Sequence, residues 1–350
     1  MVEVTSLASL APMTEGLPQV VWAYAGFFAL VLLFLALDLG VFHREAHEVH
    51  MREAVTWTII WIAVALAFNG LVYLAYEQHW LGLGLNVPQL DGSLAPEVGG
   101  LEAARLFLIG YVVEKSLSMD NVFVIALTFG FFAVPARYQH RVLFWGILGA
   151  LLMRGLMIWI GAALIHQFSW IIYVFGGFLI LTAIKMAVMN TDTIDPEKNV
   201  LIRLVRRLYP VTSQYHGQKF FTRVDGRRAA TPLLLALVMV EFTDLVFAVD
   251  SIPAIFAITA DPFLVLTSNV FAILGLRALY FCLANLIHQF RYLKPALVAV
   301  LLFVGVKMML VKTSWKVDTG ASLAVILGIL TLGVIASVVS ARRGSGQATT

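Results

Sequence analysis

The chain has 350 residues, of which 60% are hydrophobic and 13% are charged, with a net charge of +3. Soluble domains contain roughly 45–50% apolar and about 25% charged residues, so this composition excludes an ordinary soluble protein and predicts a membrane protein with several spans. The basic residues fall between the apolar segments and give no indication of a nucleic-acid partner, and the single cysteine, Cys282, excludes an internal disulfide and a Cys-x-x-Cys redox or zinc site.

Nine apolar stretches are long enough to cross a bilayer, for which about 20 residues are needed. They cover residues 20–42, 54–76, 102–130, 141–164, 170–189, 231–257, 262–285, 295–311 and 320–340. The predicted fold class is therefore all-α, a polytopic membrane protein with about nine transmembrane helices.

Basic residues are concentrated in alternate loops, which orients the predicted helices. These loops are residues 43–53, 131–141, 190–230 and 286–294, and the tail after the ninth span is also basic. Because cytoplasmic loops carry the excess of Lys and Arg, we expect a multi-pass protein of the plasma (inner) membrane, with its N-terminus outside and its C-terminus in the cytoplasm. The first of these loops also holds His43, His47 and His50, which either gather metal ions at the surface or are ordinary solvated residues.

Two stretches of the chain, residues 113–186 and 243–308, resemble each other. In the same order, both contain two acids six residues apart, an arginine, the sequence Leu-Ile-His-Gln-Phe and a Lys-Met pair. The matched residues are Glu114 with Asp244, Asp120 with Asp250, Asn121 with Ser251, Arg154 with Arg277, 164–168 with 286–290, and 185–186 with 307–308. Each copy contains three predicted spans, and an odd number of crossings inverts the second copy relative to the first, as in secondary transporters.

The repeats divide the chain into five parts. An N-terminal extension with two spans (about 20–42 and 54–76) occupies residues 1–100, and the three-span repeats occupy 101–190 and 231–312. A basic cytoplasmic loop at 191–230 separates the repeats, and residues 313–350 hold the ninth span and a disordered tail. The arginine clusters of the loop suggest contact with anionic lipid headgroups.

The acids of the two repeats are the candidate functional residues. A carboxylate at bilayer depth costs about 2.5–3.5 kcal/mol on insertion scales, so a membrane protein rarely retains several of them for packing alone. A bound cation would relieve this cost. We therefore expect a midplane site between spans three and six, formed by Glu114, Asp120, Asn121, Asp244, Asp250 and Glu241, with Ser251, Asp38, Arg154 and Arg277 as further candidates.

The helical period limits how these side chains can meet. On a straight helix Glu114 and Asn121 share a face, whereas Asp120 projects about 120° away, and the same holds in the second repeat. Pro253 would loosen the turn that carries Asp250, so we expect local unwinding there. The ligands are all oxygen, which suits hard divalent ions, namely Mg2+, Ca2+ or Mn2+. As an alternative, the acids pair with basic residues of neighbouring spans, namely Lys115, Arg154, Lys185, Arg277 and Lys307.

Four runs of sequence carry a resemblance to a known family. They are Asp38-Leu-Gly-Val-Phe, Glu114-Lys-Ser-Leu-Ser-Met-Asp-Asn-Val-Phe, Glu241-Phe-Thr-Asp-Leu-Val-Phe-Ala-Val-Asp-Ser-Ile-Pro-Ala and Ser268-Asn-Val-Phe-Ala-Ile-Leu-Gly-Leu-Arg. In these runs the chain resembles the TerC family of integral membrane proteins, and its Alx-like branch most of all, over roughly residues 20–340. The resemblance implies manganese efflux and a relationship to the lysine-exporter superfamily, and it makes the acids above the expected manganese ligands.

Together these features predict a transporter that exports Mn2+ from the cytoplasm by alternating access of the two repeats. The sequence shows neither a nucleotide-binding motif nor an evident nucleophile–base pair, so we expect no enzyme and no cofactor beyond the transported ion. Crowded carboxylates would take up protons as the metal leaves, which makes proton-coupled exchange a hypothesis. The alternative is a membrane scaffold, or an accessory protein that delivers metal to secreted or membrane proteins, and the large basic loop favours it.

Overall fold

The structure is a computed structural model in which most of the chain is helical. It describes residues 19–40, 50–168, 170–188, 200–224, 226–283, 292–313, 315 and 317–347, and of residues 38–40, 338 and 341–347 it describes only the backbone. The helices in chain order are α1 (Gln19–Gly40), α2 (Met51–Glu77), α3 (Gly100–Phe131), α4 (Ala136–Gln167), α5 (Ile171–Val188), α6 (Val200–Leu208), α7 (Pro232–Phe256), α8 (Pro262–Leu274), α9 (Leu276–Leu283), α10 (Leu293–Met309) and α11 (Thr319–Gln347).

The long helices are apolar on all sides, and their outer faces expose large hydrophobic side chains. On α4, Leu152 is 71% exposed and Trp159 is 70% exposed. A helix that is hydrophobic all round is either buried in protein or spans a membrane, and these side chains do not lie against protein. The outer surface of the helix bundle is therefore suited to lipid rather than to water, which confirms a polytopic membrane protein.

Six helices among the described residues are long and apolar enough to cross a membrane. They contain the segments Gln19–Leu37, Met51–Glu77, Ala136–Gln167, Ile171–Val188, Pro232–Phe256 and Thr319–Ser337. A seventh span results if α8 and α9, which meet at a bend of 42°, are counted together. The predicted count of nine would need two further helices, α3 and α10.

Charge and length keep these two helices out of that set. Every 18-residue stretch of α3 contains at least three charged residues, drawn from Glu102, Arg105, Glu114, Lys115 and Asp120. Helix α10 has only 17 residues. The count of nine spans therefore stays a prediction.

The break in helical structure lies at Gly275 and not beside Asp250, where we expected local unwinding. Helix α7 continues through Asp250 and Pro253 and ends three residues after the proline. The predicted span at 262–285 is instead divided into α8 and α9, and the Lys115 side chain of α3 reaches this bend, where its Nζ donates a 3.2 Å hydrogen bond to the carbonyl of Ala272. Lysine thus satisfies a backbone acceptor close to the point where the helix bends.

Two short hairpins, which the sequence analysis does not predict, accompany the mainly helical fold. Strands β1 (Leu85–Pro88) and β2 (Leu94–Glu97) form one antiparallel pair, and β3 (Phe221–Val224) and β4 (Arg227–Ala230) form the other. Their backbones lie outside the long helices, where polar residues and glycines allow tight turns. The second hairpin follows from the sequence, because Asp-Gly at 225–226 is one of the strongest signals for a two-residue hairpin turn and Gly226 has a φ of +76°.

Helices of the two predicted repeats pack against each other in pairs. Helix α3 contacts α7 and α8, α4 contacts α7 and α8, and α5 contacts α10. Between α5 and α10 the backbones approach closely at Gly176 and Gly305, where a Cβ on either glycine would lie 3.0–3.1 Å from the carbonyl oxygen of the other. This packing brings the middle of α3, α4 and α7 together, and the candidate site lies there.

Candidate functional site

A buried arginine lies at the centre of the candidate site. The Arg154 side chain of α4 is only 2% exposed, and it donates hydrogen bonds to Glu114 of α3 and to both oxygens of Asp244 of α7. Its Nη2 lies 2.9 Å from Asp244 Oδ1, and its Nε lies 3.3 Å from Asp244 Oδ2. Ion pairs with Arg154 therefore connect one carboxylate from each predicted repeat.

Two polar side chains, each seven residues after one of these acids on the same helix, complete this cluster. Asn121 of α3 donates a 3.3 Å hydrogen bond from Nδ2 to Asp244 Oδ1, and Ser251 of α7 lies with its Oγ 3.4 Å from Arg154 Nη1. Positions 121 and 251 are equivalent in the repeat, as are 114 and 244. Two equivalent pairs thus surround one arginine. We call Glu114, Asn121, Arg154, Asp244 and Ser251 the central cluster.

Several oxygen atoms beside Arg154 keep unused acceptor capacity. Glu114 Oε2, Ser118 Oγ and Asn121 Oδ1 are buried and have no hydrogen-bond partner among the described residues. Positions 114, 118 and 121 follow one face of α3, because they are four and seven residues apart. Buried oxygens without partners are unusual in proteins, and one common explanation is an ion or water that binds there.

A small cavity lies beside Asn121 and Asp244. It has a volume of about 20 Å³, and its lining is mostly apolar, with Asn121, Thr243 and Asp244 as the polar residues. A cavity of roughly 10–15 Å³ or more can hold one water molecule if polar partners surround it. The cavity is therefore large enough for one water or for one desolvated metal ion.

The second acid of each repeat points away from the central cluster. Asp250 accepts a 3.1 Å hydrogen bond from Thr182 of α5 and lies near Lys185. Asp120 is close enough to Lys294, at the start of α10, for the two charges to interact. Because α3 and α7 are continuous helices, the position six residues after each cluster acid faces another side, as the helical period requires.

The remaining acid, Glu241, lies one turn before Asp244 on α7 and faces α4. Its carboxylate packs directly against Gly149, where a Cβ would overlap with it. Glu241 is close enough to Asp244 for their charges to repel. Within the described residues, however, no three His, Cys, Asp or Glu side chains come together as a metal site.

A family model for the "Integral membrane protein TerC family" matches residues 100–345 of the chain. The chain belongs to the TerC family. The match covers all the acids of the central cluster and both predicted repeats. It confirms the resemblance and contains three of the four sequence runs that carry it, those that begin at Glu114, Glu241 and Ser268.

Relatives in this family are similar to the chain along nearly its whole length. "Uncharacterized membrane protein STKORF319" of Myxococcus xanthus is 48% identical over 91% of this chain and 92% of its own length. "Putative membrane-bound redox modulator Alx" is the name of relatives in Salmonella typhi, 44% identical over 89% of this chain and 92% of the relative, and in Escherichia coli K12, 42% identical with the same coverage. No solved structure matches the chain.

The other sequence candidates of this TerC chain lie apart from the central cluster or outside the described part. Lys115 turns towards the α8–α9 bend, and Arg277 is buried in α9. Asp38 belongs to α1, but its side chain is outside the described residues. His43 and His47 also lie outside them, and His50 is exposed at the start of α2.

A larger cavity of about 380 Å³ lies at the end of the bundle that carries the β1–β2 hairpin. Its charged lining residues are Glu102, Asp261, Lys307 and Asp318. Asp261 is buried and caps α8 by accepting hydrogen bonds from the backbone of residues 263 and 264, and it also accepts a 2.7 Å hydrogen bond from the hydroxyl of Tyr76. Sequence reasoning missed Asp261 as part of a cavity, although the Asp-Pro pair before an apolar run indicates a helix start.

Proposed function

We propose that this TerC chain exports Mn2+ from the cytoplasm, and that the carboxylates of Glu114 and Asp244 carry the ion across the membrane. The central cluster supports this proposal more than any other feature. Two acids that occupy equivalent positions in two similar segments share one buried partner, Arg154. An inverted-repeat transporter binds its substrate at the meeting point of its repeats.

The chemistry of the central cluster suits a divalent cation. Two ionised carboxylates and one guanidinium leave a formal charge of −1, and the unpartnered oxygens of Glu114, Ser118 and Asn121 add neutral or anionic donors. Oxygen-only ligand sets favour hard ions such as Mg2+, Ca2+ and Mn2+. The preference for Mn2+ among these ions comes from the similarity to the TerC family and not from the donor set.

Arg154 would act as the internal counter-ion of this site. An isolated carboxylate in the bilayer is costly, and the guanidinium neutralises two of them when no metal is bound. A cation that enters between Glu114 and Asp244 must displace the guanidinium. In this mechanism Arg154 keeps the substrate-free protein stable and releases its partners to the ion.

Movement of the two repeats would expose the site to alternate sides of the membrane. Reciprocal packing supports this mechanism, since α3 contacts α8 in the same way that the equivalent helix α7 contacts α4. The acids outside the central cluster, Asp120, Asp250 and Glu241, would coordinate or guide the ion as the helices shift. Carboxylates released by the metal would take up protons. Mn2+ that leaves the cell would thus be exchanged for protons that enter across the plasma membrane.

Transport by purified protein in vesicles tests the proposal. Full-length protein is reconstituted into liposomes that contain a fluorescent Mn2+ indicator, and the initial rate of Mn2+ uptake is measured. We expect Asp244→Asn and Glu114→Gln to lower the rate to that of empty liposomes. Asp318→Asn is the matched control, because this acid caps α11 away from the central cluster and asparagine retains the cap.

Two results would contradict the proposal. One is wild-type protein that moves no Mn2+, and the other is Asp244→Asn protein that moves it at the wild-type rate. Proton exchange is tested in the same vesicles with an imposed pH gradient. A Mn2+ flux that does not respond to the gradient would contradict proton coupling, but it would not contradict Mn2+ export itself.

The alternative function is a scaffold or a metal-delivery accessory protein, and the basic surface between α6 and β4 favours it. A transporter should lose manganese tolerance in cells when Asp244 is changed to Asn, whereas a scaffold should tolerate this change. The name of the Alx relatives, which calls them redox modulators, suggests a redox role as a further alternative. A dithiol switch within one chain is excluded here, since Cys282 is the only cysteine in the sequence.

A further inference from the structure

Helix α6 has three distinct faces. Successive residues of a helix are rotated by about 100°, so positions 201, 202 and 205 form one face and positions 200, 204 and 208 form another. The arginines at 203, 206 and 207 form the third. The sequence Val-Leu-Ile-Arg-Leu-Val-Arg-Arg-Leu of α6 thus separates two apolar faces and one basic face.

The first apolar face attaches α6 to the membrane-spanning bundle. Ile202 is 1% exposed and packs with Leu235 and Met239 of α7, and Phe132 at the end of α3 lies against the same cluster. Met239 is seven residues inside α7, which corresponds to about 10 Å along the helix axis. Helix α6 therefore lies beside the first turns of a spanning helix and not above its end.

The second apolar face has no protein cover among the described residues. Val200 is 66% exposed, Leu204 is 48% exposed and Leu208 is 64% exposed. Tyr209 and Phe221, whose rings contact each other, extend this apolar surface onto the β3–β4 hairpin. Such a continuous exposed apolar surface marks an interaction site.

Arginine side chains border this apolar surface. Arg206 and Arg207 of α6 are exposed, and so are Arg223, Arg227 and Arg228 of the hairpin. A short amphipathic helix with basic residues beside an apolar face is typical of helices that lie in the plane of the membrane interface. An interfacial helix buries its apolar face about 5–10 Å into the boundary between headgroups and acyl chains, which is compatible with the position of α6 beside the first turns of α7.

The segment is folded tightly onto the bundle, which fixes this face at one depth. The hydroxyl of Tyr215 donates a 2.7 Å hydrogen bond to the carbonyl of Phe132, and Arg141 of α4 lies over the ring of Phe220. Thr231 donates a 2.8 Å hydrogen bond to the carbonyl of Lys219. A segment held in this way has little freedom to leave the membrane surface.

We propose that α6 is an interfacial helix, whose Val200, Leu204 and Leu208 enter the lipid and whose arginines bind the headgroups of anionic phospholipids. The occupant of this face is the bilayer in which the chain itself is embedded. Helix α6 packs against α7, which carries Asp244, and against Phe132, which directly follows α3, so headgroup binding would also stabilise the cytoplasmic ends of these two helices. The lipid proposal itself does not depend on Mn2+ transport.

The depth of α6 is measured with a single fluorescent label. Cys282→Ser removes the only cysteine, and Leu204→Cys then gives one site for a bimane label on the apolar face. In liposomes we expect a quencher attached to the lipid chains to quench the fluorescence of this label, and we expect iodide in the aqueous phase not to quench it. A label at Ser213→Cys, on an exposed loop of the same segment, should show the opposite pattern.

Headgroup recognition is measured by titration of the same labelled protein in detergent with short-chain phosphatidylglycerol. We expect Arg206→Gln and Arg207→Gln each to weaken binding about fivefold, the equivalent of about 1 kcal/mol per arginine near an anionic surface. Arg52→Gln removes an exposed arginine at the start of α2, outside this segment, and should leave this affinity unchanged. Gel filtration checks that each variant is folded.

Three outcomes would overturn the proposal. Iodide that reaches the label at 204 as readily as at 213 would show that α6 lies in water. A label shielded from both quenchers would indicate a protein partner on this face. An unchanged affinity for phosphatidylglycerol in the Arg206→Gln, Arg207→Gln protein would show that these arginines do not bind the headgroups.

Discussion

Arg154 Nη2 lies 2.9 Å from Asp244 Oδ1, so a buried ion pair joins α4 of the first predicted repeat to α7 of the second. Both side chains are nearly inaccessible, and the same guanidinium also contacts Glu114. Ion pairs at this depth owe their strength to the absence of water, and the removal of one member leaves a charge without compensation. The pair therefore makes the candidate site part of what holds the two helices together.

Replacement of Arg154 by glutamine should make stability depend on metal. We expect the Arg154→Gln protein to unfold more easily in metal-free detergent by about 3–5 kcal/mol, because two carboxylates lose their counter-ion. Mn2+ should restore more of this loss than it adds to the wild type. The measurement is thermal unfolding with and without Mn2+. Arg137→Gln, an exposed arginine at the start of α4, is the control, and an equal response of both variants to Mn2+ would contradict the role of Arg154.

The equivalence of Glu114 and Asp244 could be found in the sequence, because the repeat aligns them and the helical period keeps Asn121 on the side of Glu114. The same period indicates that Asp120 and Asp250 face elsewhere unless the helices unwind, and α3 and α7 do not unwind there. Arg154 was one of several possible partners. Its selection depends on how α4 packs against α7, which no local pattern specifies.

Two further contacts had no signal in the sequence. The hydrogen bond from Thr182 to Asp250 joins two residues that are 68 positions apart along the chain. Lys115 follows Glu114 directly, yet its side chain reaches a carbonyl of α8 because adjacent helical positions point in directions about 100° apart. Tertiary packing decides both contacts.

A methyl group at Gly149 should disturb the site without a change in charge. In the Gly149→Ala protein the new Cβ would overlap with the Glu241 carboxylate. We expect overpacking to destabilise the protein by about 1–3 kcal/mol and to displace the carboxylate, which lowers the Mn2+ transport rate. Vesicle uptake and thermal unfolding measure the two effects.

Gly155 provides the matched control on the same helix, because a Cβ there would meet nothing within 4 Å. Alanine favours the helix over glycine by about 0.5–1 kcal/mol, so the Gly155→Ala protein should be slightly more stable and should transport normally. If both alanine variants behave alike, the contact between Gly149 and Glu241 has no part in transport.

Stability should depend on pH through Asp261, which lies between α7 and α8 at the larger cavity. Burial raises the pKa of the Asp261 carboxyl above its usual value of 3.8, although hydrogen bonds from Tyr76 and from the backbone oppose this shift. The folded state therefore holds the proton more tightly than the unfolded state. The stability that this proton contributes is present below pH 3.8 and is lost as the pH rises through the folded pKa.

The comparison of Asp261→Asn with the wild type isolates this effect. Asparagine is neutral at every pH and can still cap α8 through its side-chain oxygen. We expect the unfolding temperature of the variant in detergent to rise relative to that of the wild type as the pH is raised from about 4. A difference that is constant with pH would mean that Asp261 has the same pKa in both states.

The hydrogen bond between Lys115 and Ala272 should hold the bend between α8 and α9. Its Nζ is 3.2 Å from the carbonyl oxygen, and charge-assisted hydrogen bonds contribute about 1.5–3 kcal/mol. In the Lys115→Met protein we therefore expect the amides around Gly275 to exchange with solvent about ten- to a hundredfold faster, since each 1.36 kcal/mol is a factor of ten. Lys115→Arg keeps a donor and should retain protection. Equal exchange in the wild type and Lys115→Met would show that the 42° bend persists without the lysine, which would leave its cause in the α8–α9 backbone.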